Sequence, residues 1–227
     1  MSQVKLMVSN LEKLHQWASS KYENYQSLVA IGSFAVGDAW IERRSDYDFL
    51  VIFEEYPLTI ASDLEIYFKN SRFDETYLFT PLPKSAFIEP QNNSHDFSHK
   101  FRSRTIYGRD LIPEVKLPSE EVVKSIYEMG LENTIRKMEI RIAHAMLWDN
   151  EKVRDIFWKL FKHSFMNLAI KAYAVSRSYP CTRQDVVNYY VSEELKAALE
   201  ALNTIDEQSK ENIVSVARGL VGYLQVI

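Results

Sequence analysis

The stretch that decides the fold is GSFAVGDAWIERRSDYDFLVIF, residues 32–53. It opens with a Gly-Ser turn and closes on an apolar run, Phe49 to Phe53, that directly follows Ser-Asp-Tyr-Asp. The run starts in polar and apolar alternation and then becomes continuously apolar. This pattern predicts a β-strand that is buried on both faces and whose first residues reach a polar site.

Asp46 and Asp48 stand two residues apart at the start of that strand. Alternate residues of a strand point to the same face, with about 6–7 Å between their Cα atoms. Two carboxylates held so close repel each other unless a cation or a proton lies between them. Because Mg²⁺ prefers such oxygen ligands, the pair predicts a magnesium site.

Groups on both sides of the acid pair predict phosphate binding. Gly32 lets the backbone approach a ligand closely or adopt a positive φ, and Ser33 offers a hydroxyl. Exposed N–H groups at such a turn suit a phosphate. Arg43, Arg44 and Ser45, directly before Asp46, could pair with a polyphosphate.

Working outward, the neighbouring segments predict a small α/β unit. A capping box and helical spacing indicate a helix over about residues 9–22, and residues 27–31 form a short apolar run. A helix is expected at 63–70 and a third strand at 73–79, which the prolines at 81 and 83 would end. Residues 84–104 are predicted to be a loop followed by a short helix, and residues 105–111 fit a helix with a Gly-ended turn.

From Ser119 onward, long helical periods replace the strand patterns. Helices are expected over about 119–148 and 150–178, and from Thr182, Ser192 and Asp206 onward. The fold class we predict is α+β, with a small mixed-sheet N-terminal domain, residues 1–112, followed by an all-α helical bundle, residues 113–227.

Composition bounds the class of protein. Among 227 residues, 46% are hydrophobic and 26% charged, which excludes a disordered chain. The formal charge of −4 argues against a general nucleic-acid binder. A single cysteine, Cys181, and a polar N-terminal segment predict a cytoplasmic protein, and no stretch approaches the roughly 20 apolar residues that cross a bilayer.

The Gly-Ser turn followed by Ser-Asp-Tyr-Asp resembles the signature of the DNA polymerase β-like nucleotidyltransferase superfamily. Within it, the chain is most similar to bacterial minimal nucleotidyltransferases and to the aminoglycoside and lincosamide nucleotidyltransferases. The resemblance implies that Gly32 and Ser33 hold a triphosphate and that Asp46 and Asp48 bind the metals between nucleotide and acceptor. It also implies that the helical half is a substrate-binding or HEPN-like bundle.

The family uses a third metal-binding carboxylate on a neighbouring strand. Here the candidates are Asp74 and Glu75, which face opposite ways if both lie on a strand. Asp74 follows an apolar residue, as in the family, whereas counting back from Thr80 favours Glu75. Both therefore stand as candidates.

The activity implied by the resemblance is an adenylyltransferase-like one. Mg²⁺ and a nucleoside triphosphate, ATP in the first instance, would serve transfer of a nucleoside monophosphate to a hydroxyl acceptor. That acceptor is either a small molecule such as an aminoglycoside-like antibiotic or a protein. The alternative is a catalytically weak, antitoxin-like module that senses a nucleotide or binds a partner.

Overall fold

The computed structural model describes residues 3–38, 46–71 and 77–227. The chain divides into two compact units, Met1–Pro118 and Ser119–Ile227. The division falls after Pro118 rather than after residue 112, because Leu111 and Val115 are buried in a cluster with residues of the sheet. The fold class is α+β as predicted, with a small mixed sheet followed by helices.

The sheet has four strands in the described ranges and stands in the first unit. They are β1 Tyr25–Ile31, β2 Tyr47–Phe53, β3 Tyr77–Pro83 and β4 Ser103–Gly108, in the spatial order β3-β2-β1-β4. β1 runs antiparallel to both β2 and β4, and β2 runs parallel to β3. The helices of this unit are α1 Gln3–Lys21, α2 Gly32–Val36, α3 Ile60–Lys69, α4 Lys84–Ile88 and α5 His95–Phe101, followed by a 3₁₀ turn at Ile112–Glu114.

β2 is the central strand, and it is buried on both faces as its sequence predicts. Phe49, Val51 and Phe53 join a cluster that includes buried leucines of α1 and α3. Leu50 and Ile52 point the other way, into a second cluster with Phe87 of α4 and residues that follow β4. Burial of each such side chain contributes about 1.5–3 kcal/mol, so the two clusters fix the position of β2.

Two predictions for the first unit are wrong. β3 does not end before its prolines but includes Pro81 and Pro83, which pair in register with Val51 and Phe53 of β2. An edge strand tolerates proline because the missing N–H can face away from the sheet. Residues 103–108 form β4 rather than a loop, a helix or a turn, and they pair with β1 through a register shift at Leu28–Val29.

The second unit consists of long helices, as predicted. They are α6 Glu120–His144, α7 Asn150–Ser176, α8 Arg183–Tyr190, α9 Glu193–Asn203 and α10 Lys210–Val226, with a 3₁₀ turn at Ala145–Leu147. α8 begins at its N-cap residue Thr182 as predicted, with a capping box in which Thr182 and Asp185 exchange side-chain and backbone hydrogen bonds. α10 begins after Ser209 instead of at Asp206.

A small polar contact lies between α6 and α7. The Asn167 side chain is buried and donates from Nδ2 to Oγ1 of Thr134, 3.1 Å away. A Cβ atom added at Gly130 would stand 2.8 Å from Cγ of Asn167. Glycine is therefore needed at 130 for reasons of space, because the amide beneath it is held in place by its own hydrogen bond.

An ion pair joins α1 to α3. Lys21 Nζ lies 2.7 Å from Asp63 Oδ1, and the Tyr22 hydroxyl also donates to Asp63. Hydrogen bonds from Lys21, and then from Tyr22, lower the pKa of Asp63 from 3.8 to about 2. Burial, together with the hydrogen bond to Asp63, raises the pKa of Tyr22 to about 12.

We expect Gly130→Ala to destabilise the protein by about 1–3 kcal/mol, because the added methyl group overpacks the Asn167 site. The measurement is urea denaturation followed by circular dichroism. Gly222→Ala is the matched control, since nothing lies within 4 Å of its added Cβ and alanine favours the interior of α10. A Gly130 variant as stable as the Gly222 variant would show that this packing is wrong.

We expect Asp63→Asn to lower the free energy of unfolding at neutral pH and to lose this effect in acid. The Asp63 pKa is lower in the folded chain, so its contribution is complete above the usual value near 3.8 and disappears as the pH falls to about 2. Denaturation of wild type and variant over a pH series tests this. A stability difference that stays constant into acid would contradict it.

Candidate functional site

The sheet brings together the two halves of the motif that the sequence singles out. Ile31 at the end of β1 pairs with Asp48 near the start of β2, and Gly32 follows Ile31 directly. Oδ2 of Asp48 stands 3.6 Å from where a Cβ on Gly32 would lie. The Gly-Ser turn and one of the two predicted acids therefore lie next to each other.

The turn itself comprises residues 32–38, and we call it the Gly32–Asp38 turn. Gly32 has φ +73°, a left-handed conformation that favours glycine. Residues Gly32–Val36 form the short helix α2, which ends at Gly37 with φ +70°. The N–H of Asp38 then donates to the carbonyl oxygen of Ser33 at 2.9 Å and closes the turn.

Alternation along β2 separates the acids from an aromatic cluster. Tyr47 stacks on Tyr77 with ring centroids 5.1 Å apart and meets Phe34 edge to face at 5.0 Å. Asp48, the next residue, points to the opposite face of the sheet and is partly buried there. Asp46 directly precedes the strand and is exposed.

Of the predicted metal-binding carboxylates, the described residues include Asp46 and Asp48. Within the described ranges, no group of three or more His, Cys, Asp or Glu residues is placed to hold a metal ion. The candidates for the third carboxylate, Asp74 and Glu75, lie outside the described residues, as do Arg44 and Ser45. Carboxylate oxygens at the open start of a strand nevertheless suit Mg²⁺, which commonly binds through one or two carboxylates and the phosphates of a substrate.

The sequence gives no signal for two charged residues that contact the turn, Asp38 and Arg102. Nη2 of Arg102 lies 3.1 Å from Oδ2 of Asp38, and the carbonyl oxygen of Arg102 accepts the N–H of Gly32 at 2.8 Å. The two residues are 64 positions apart, so local spacing could not associate them. In addition, the sequence predicts a loop and a short helix over 84–104, so it did not indicate that Arg102 directly precedes strand β4.

Three charged or titratable residues away from the turn have structural partners or lie on exposed helix surfaces. Arg109, which follows β4, is exposed and forms an ion pair with Glu114 at 2.7 Å. Gly108 before it has φ +86°, and a Cβ there would stand 2.8 Å from Cα of Ser27. His144 and His163 are exposed on α6 and α7. No helix in the described ranges is both long enough and apolar enough to span a bilayer.

Comparison with known proteins supports the fold. No family model and no curated protein sequence matches the chain. Solved structures do resemble it, among them the crystal structure of spectinomycin adenyltransferase AAD(9) from Enterococcus faecialis with ATP and spectinomycin. The similarity has a TM-score of 0.56 at 12% sequence identity and covers 96% of this chain and 98% of that one. The chain therefore has a nucleotidyltransferase-like fold.

Proposed function

We propose that the protein is an adenylyltransferase-like nucleotidyltransferase that uses Mg²⁺ and ATP to transfer AMP to a hydroxyl acceptor. The observation that carries the proposal is the approach of Asp48 to the Gly32 position, with Oδ2 3.6 Å from a Cβ there. The Gly32–Asp38 turn, which suits a phosphate group, thus lies beside the Asp48 carboxylate, which suits a cation. The fold that the chain shares with an adenyltransferase whose structure holds ATP supports the same activity.

The Gly32–Asp38 turn would bind the triphosphate of the nucleotide. The N–H of Gly32 is engaged by Arg102, so the N–H groups of Ser33 and Phe34 are the donors that we assign to phosphate oxygens. N–H groups at the start of a helix have no acceptor within the helix, and the N-cap residue of α2, Ile31, provides no side-chain cap. Ser33 would add its hydroxyl, and Arg44 and Ser45 would add further contacts to the polyphosphate.

Asp46 and Asp48 would hold Mg²⁺, with Asp74 or Glu75 as the third carboxylate. Bound there, the ion would supply positive charge that stabilises the attacking and leaving oxygens of the transfer. The aromatic cluster lies on the other face of β2, so the Asp48 side chain projects to the face of its partner Ile31, next to Gly32. The two acids repel each other, so the site favours binding of a cation.

The reaction is a substitution at phosphorus. The acceptor hydroxyl oxygen forms a bond to the α-phosphorus while the bond from that phosphorus to the pyrophosphate oxygen breaks, and the hydroxyl proton passes to a base or to water. The turn holds the leaving pyrophosphate and thereby orients the α-phosphorus toward the acceptor. Positioning and charge stabilisation are therefore the contributions of these residues.

The acceptor that we propose is a small molecule with a hydroxyl group, such as an aminoglycoside-like compound, with a protein hydroxyl as the other class. Spectinomycin in the structure of the similar adenyltransferase supports the first class. The site's acidic pair also suits an acceptor that carries positive charge. Transfer of label from ATP to a panel of aminoglycosides, and to proteins of a cell extract, separates the two classes.

We expect Asp48→Asn to reduce AMP transfer from α-labelled ATP by roughly a thousandfold, because several kcal/mol of transition-state stabilisation depend on the cation that the carboxylate holds. Asp46→Asn should act in the same direction. Both variants should keep the wild-type circular dichroism spectrum, since neither side chain belongs to the apolar clusters of the core.

Glu55→Gln is the matched control for these two variants, because Glu55 is an exposed carboxylate just beyond the other end of β2. It should leave transfer unchanged. Full transfer by Asp48→Asn, in a preparation free of other nucleotidyltransferases, would contradict the proposal. Binding of ATP without any transfer by the wild type would instead support the nucleotide-sensing alternative.

We expect one of the variants Asp74→Asn and Glu75→Gln, and not both, to reduce transfer strongly. We place Asp74 and Glu75 on the strand that the sequence predicts over 73–79, where neighbouring residues face opposite ways, so only one of the two carboxylates can reach the acid pair. Magnesium titration of the transfer rate is the measurement, and the impaired variant should need more Mg²⁺. Equal loss in both variants, or loss in neither, would contradict a single third ligand at this position.

A further inference from the structure

Arg102 contacts the Gly32–Asp38 turn at both of its ends. Its carbonyl oxygen accepts the N–H of Gly32 at 2.8 Å, at the start of the turn. Its guanidinium reaches Asp38 at the other end, with Nη2 3.1 Å from Oδ2. A single residue from a distant part of the chain therefore fixes where the turn begins and where it ends.

The Arg102–Asp38 ion pair is largely shielded from solvent. The side chains keep 13% and 5% of their accessible surface, respectively. Nε of Arg102 is also buried and donates to no acceptor in the described residues. Loss of the Asp38 carboxylate would leave a desolvated positive charge, which is far more costly than the loss of an exposed pair.

The framework behind Arg102 is rigid. Arg102 ends α5 and precedes β4, whose first residue, Ser103, pairs with Ile31. The Ser103 hydroxyl donates to the carbonyl oxygen of His99 at 2.5 Å, and His99 is buried against Phe87. Arg102 thus connects the turn to the core and to the strand beside Asp48.

The charge of Arg102 is matched by Asp38, which distinguishes it from a phosphate ligand. A guanidinium that is already paired with a buried carboxylate offers little net attraction to a triphosphate. Its contacts hold the turn instead. The turn adjoins Asp48, so a change in its position alters the distance between the phosphate donors and the acid.

We propose that Arg102 is a positioning residue, which acts through Asp38 and through its own carbonyl group to hold the Gly32–Asp38 turn in register with Asp48 for nucleotide binding. This inference rests on the proposed function. It adds two residues that contact neither the phosphates nor the cation. Their effect on the nucleotide is exerted through the backbone of the turn.

The test measures ATP affinity, in the presence of Mg²⁺, for Asp38→Asn, Arg102→Gln and the double variant by isothermal titration calorimetry. Each single variant should bind ATP about ten- to hundredfold more weakly, as expected for loss of a charged hydrogen bond. The double variant should be no weaker than the worse single one, because both changes remove the same interaction. Arg102→Lys, which keeps the charge beside Asp38, should recover part of the affinity.

Two further readouts separate positioning from a general loss of stability. The Michaelis constant for ATP should rise in Asp38→Asn and Arg102→Gln by more than the turnover number at saturating ATP falls. Hydrogen exchange at the amides of Gly32 and Asp38 should become faster, while exchange in β2 stays slow. Lys21→Met is the matched control: it breaks another ion pair of the same unit and should lower thermal stability without weakening ATP binding.

The outcomes distinguish the two proposals. Wild-type ATP affinity in both single variants would overturn the positioning role and leave the proposed function intact. Unchanged amide exchange in the turn would overturn it as well. A wild-type protein that neither binds nor turns over any nucleoside triphosphate would overturn the proposed function and this inference with it, whatever the exchange data show about the turn.

Discussion

The pairing of Ile31 with Asp48 is the constraint on which the site depends. It sets the Gly-Ser turn, which follows β1, beside an acid that opens β2. Because side chains alternate along a strand, a slip of one residue would turn Asp48 to the opposite face and bury it among aromatic rings. The register therefore determines the geometry of the proposed site as well as the packing of the fold.

That register is held by apolar packing on both sides of β2. Phe49 and Phe53 face one cluster, and Leu50 and Ile52 face the other, all of them almost fully buried. A slip of one residue would move the phenylalanines into the cluster that now holds Leu50 and Ile52, and those two residues into the other cluster. Close-packed interiors do not tolerate such a change in side-chain shape. The core thus determines the position of Asp48, a polar residue that belongs to neither cluster.

The sequence predicted the parts of this arrangement that local patterns encode. Burial of β2 on both faces follows from its apolar run, and the start of α8 follows from the capping box at Thr182. The predicted end of β3 before its prolines is wrong. A strand accepts Pro81 when it lies at the edge of the sheet, and the sequence alone does not show which strands are neighbours. It missed β4, whose residues have no alternation strong enough to identify a strand and depend on β1 for their pairing.

The ion pair of Arg102 and Asp38 illustrates a more general limit of local patterns. A charged residue in a sequence is read as a surface residue or as a ligand, and only the tertiary structure shows whether its charge is already matched. Arg102 is matched by Asp38, so among the described residues at the turn its charge does not offset that of Asp46 and Asp48. In our proposal the positive charge that these acids require arrives with the nucleotide, as Mg²⁺ bound to its phosphates. Nucleotide binding then reduces the repulsion between Asp46 and Asp48, because Mg²⁺ bound to the phosphates also binds the two carboxylates. Part of the affinity for the nucleotide therefore comes from this reduced repulsion.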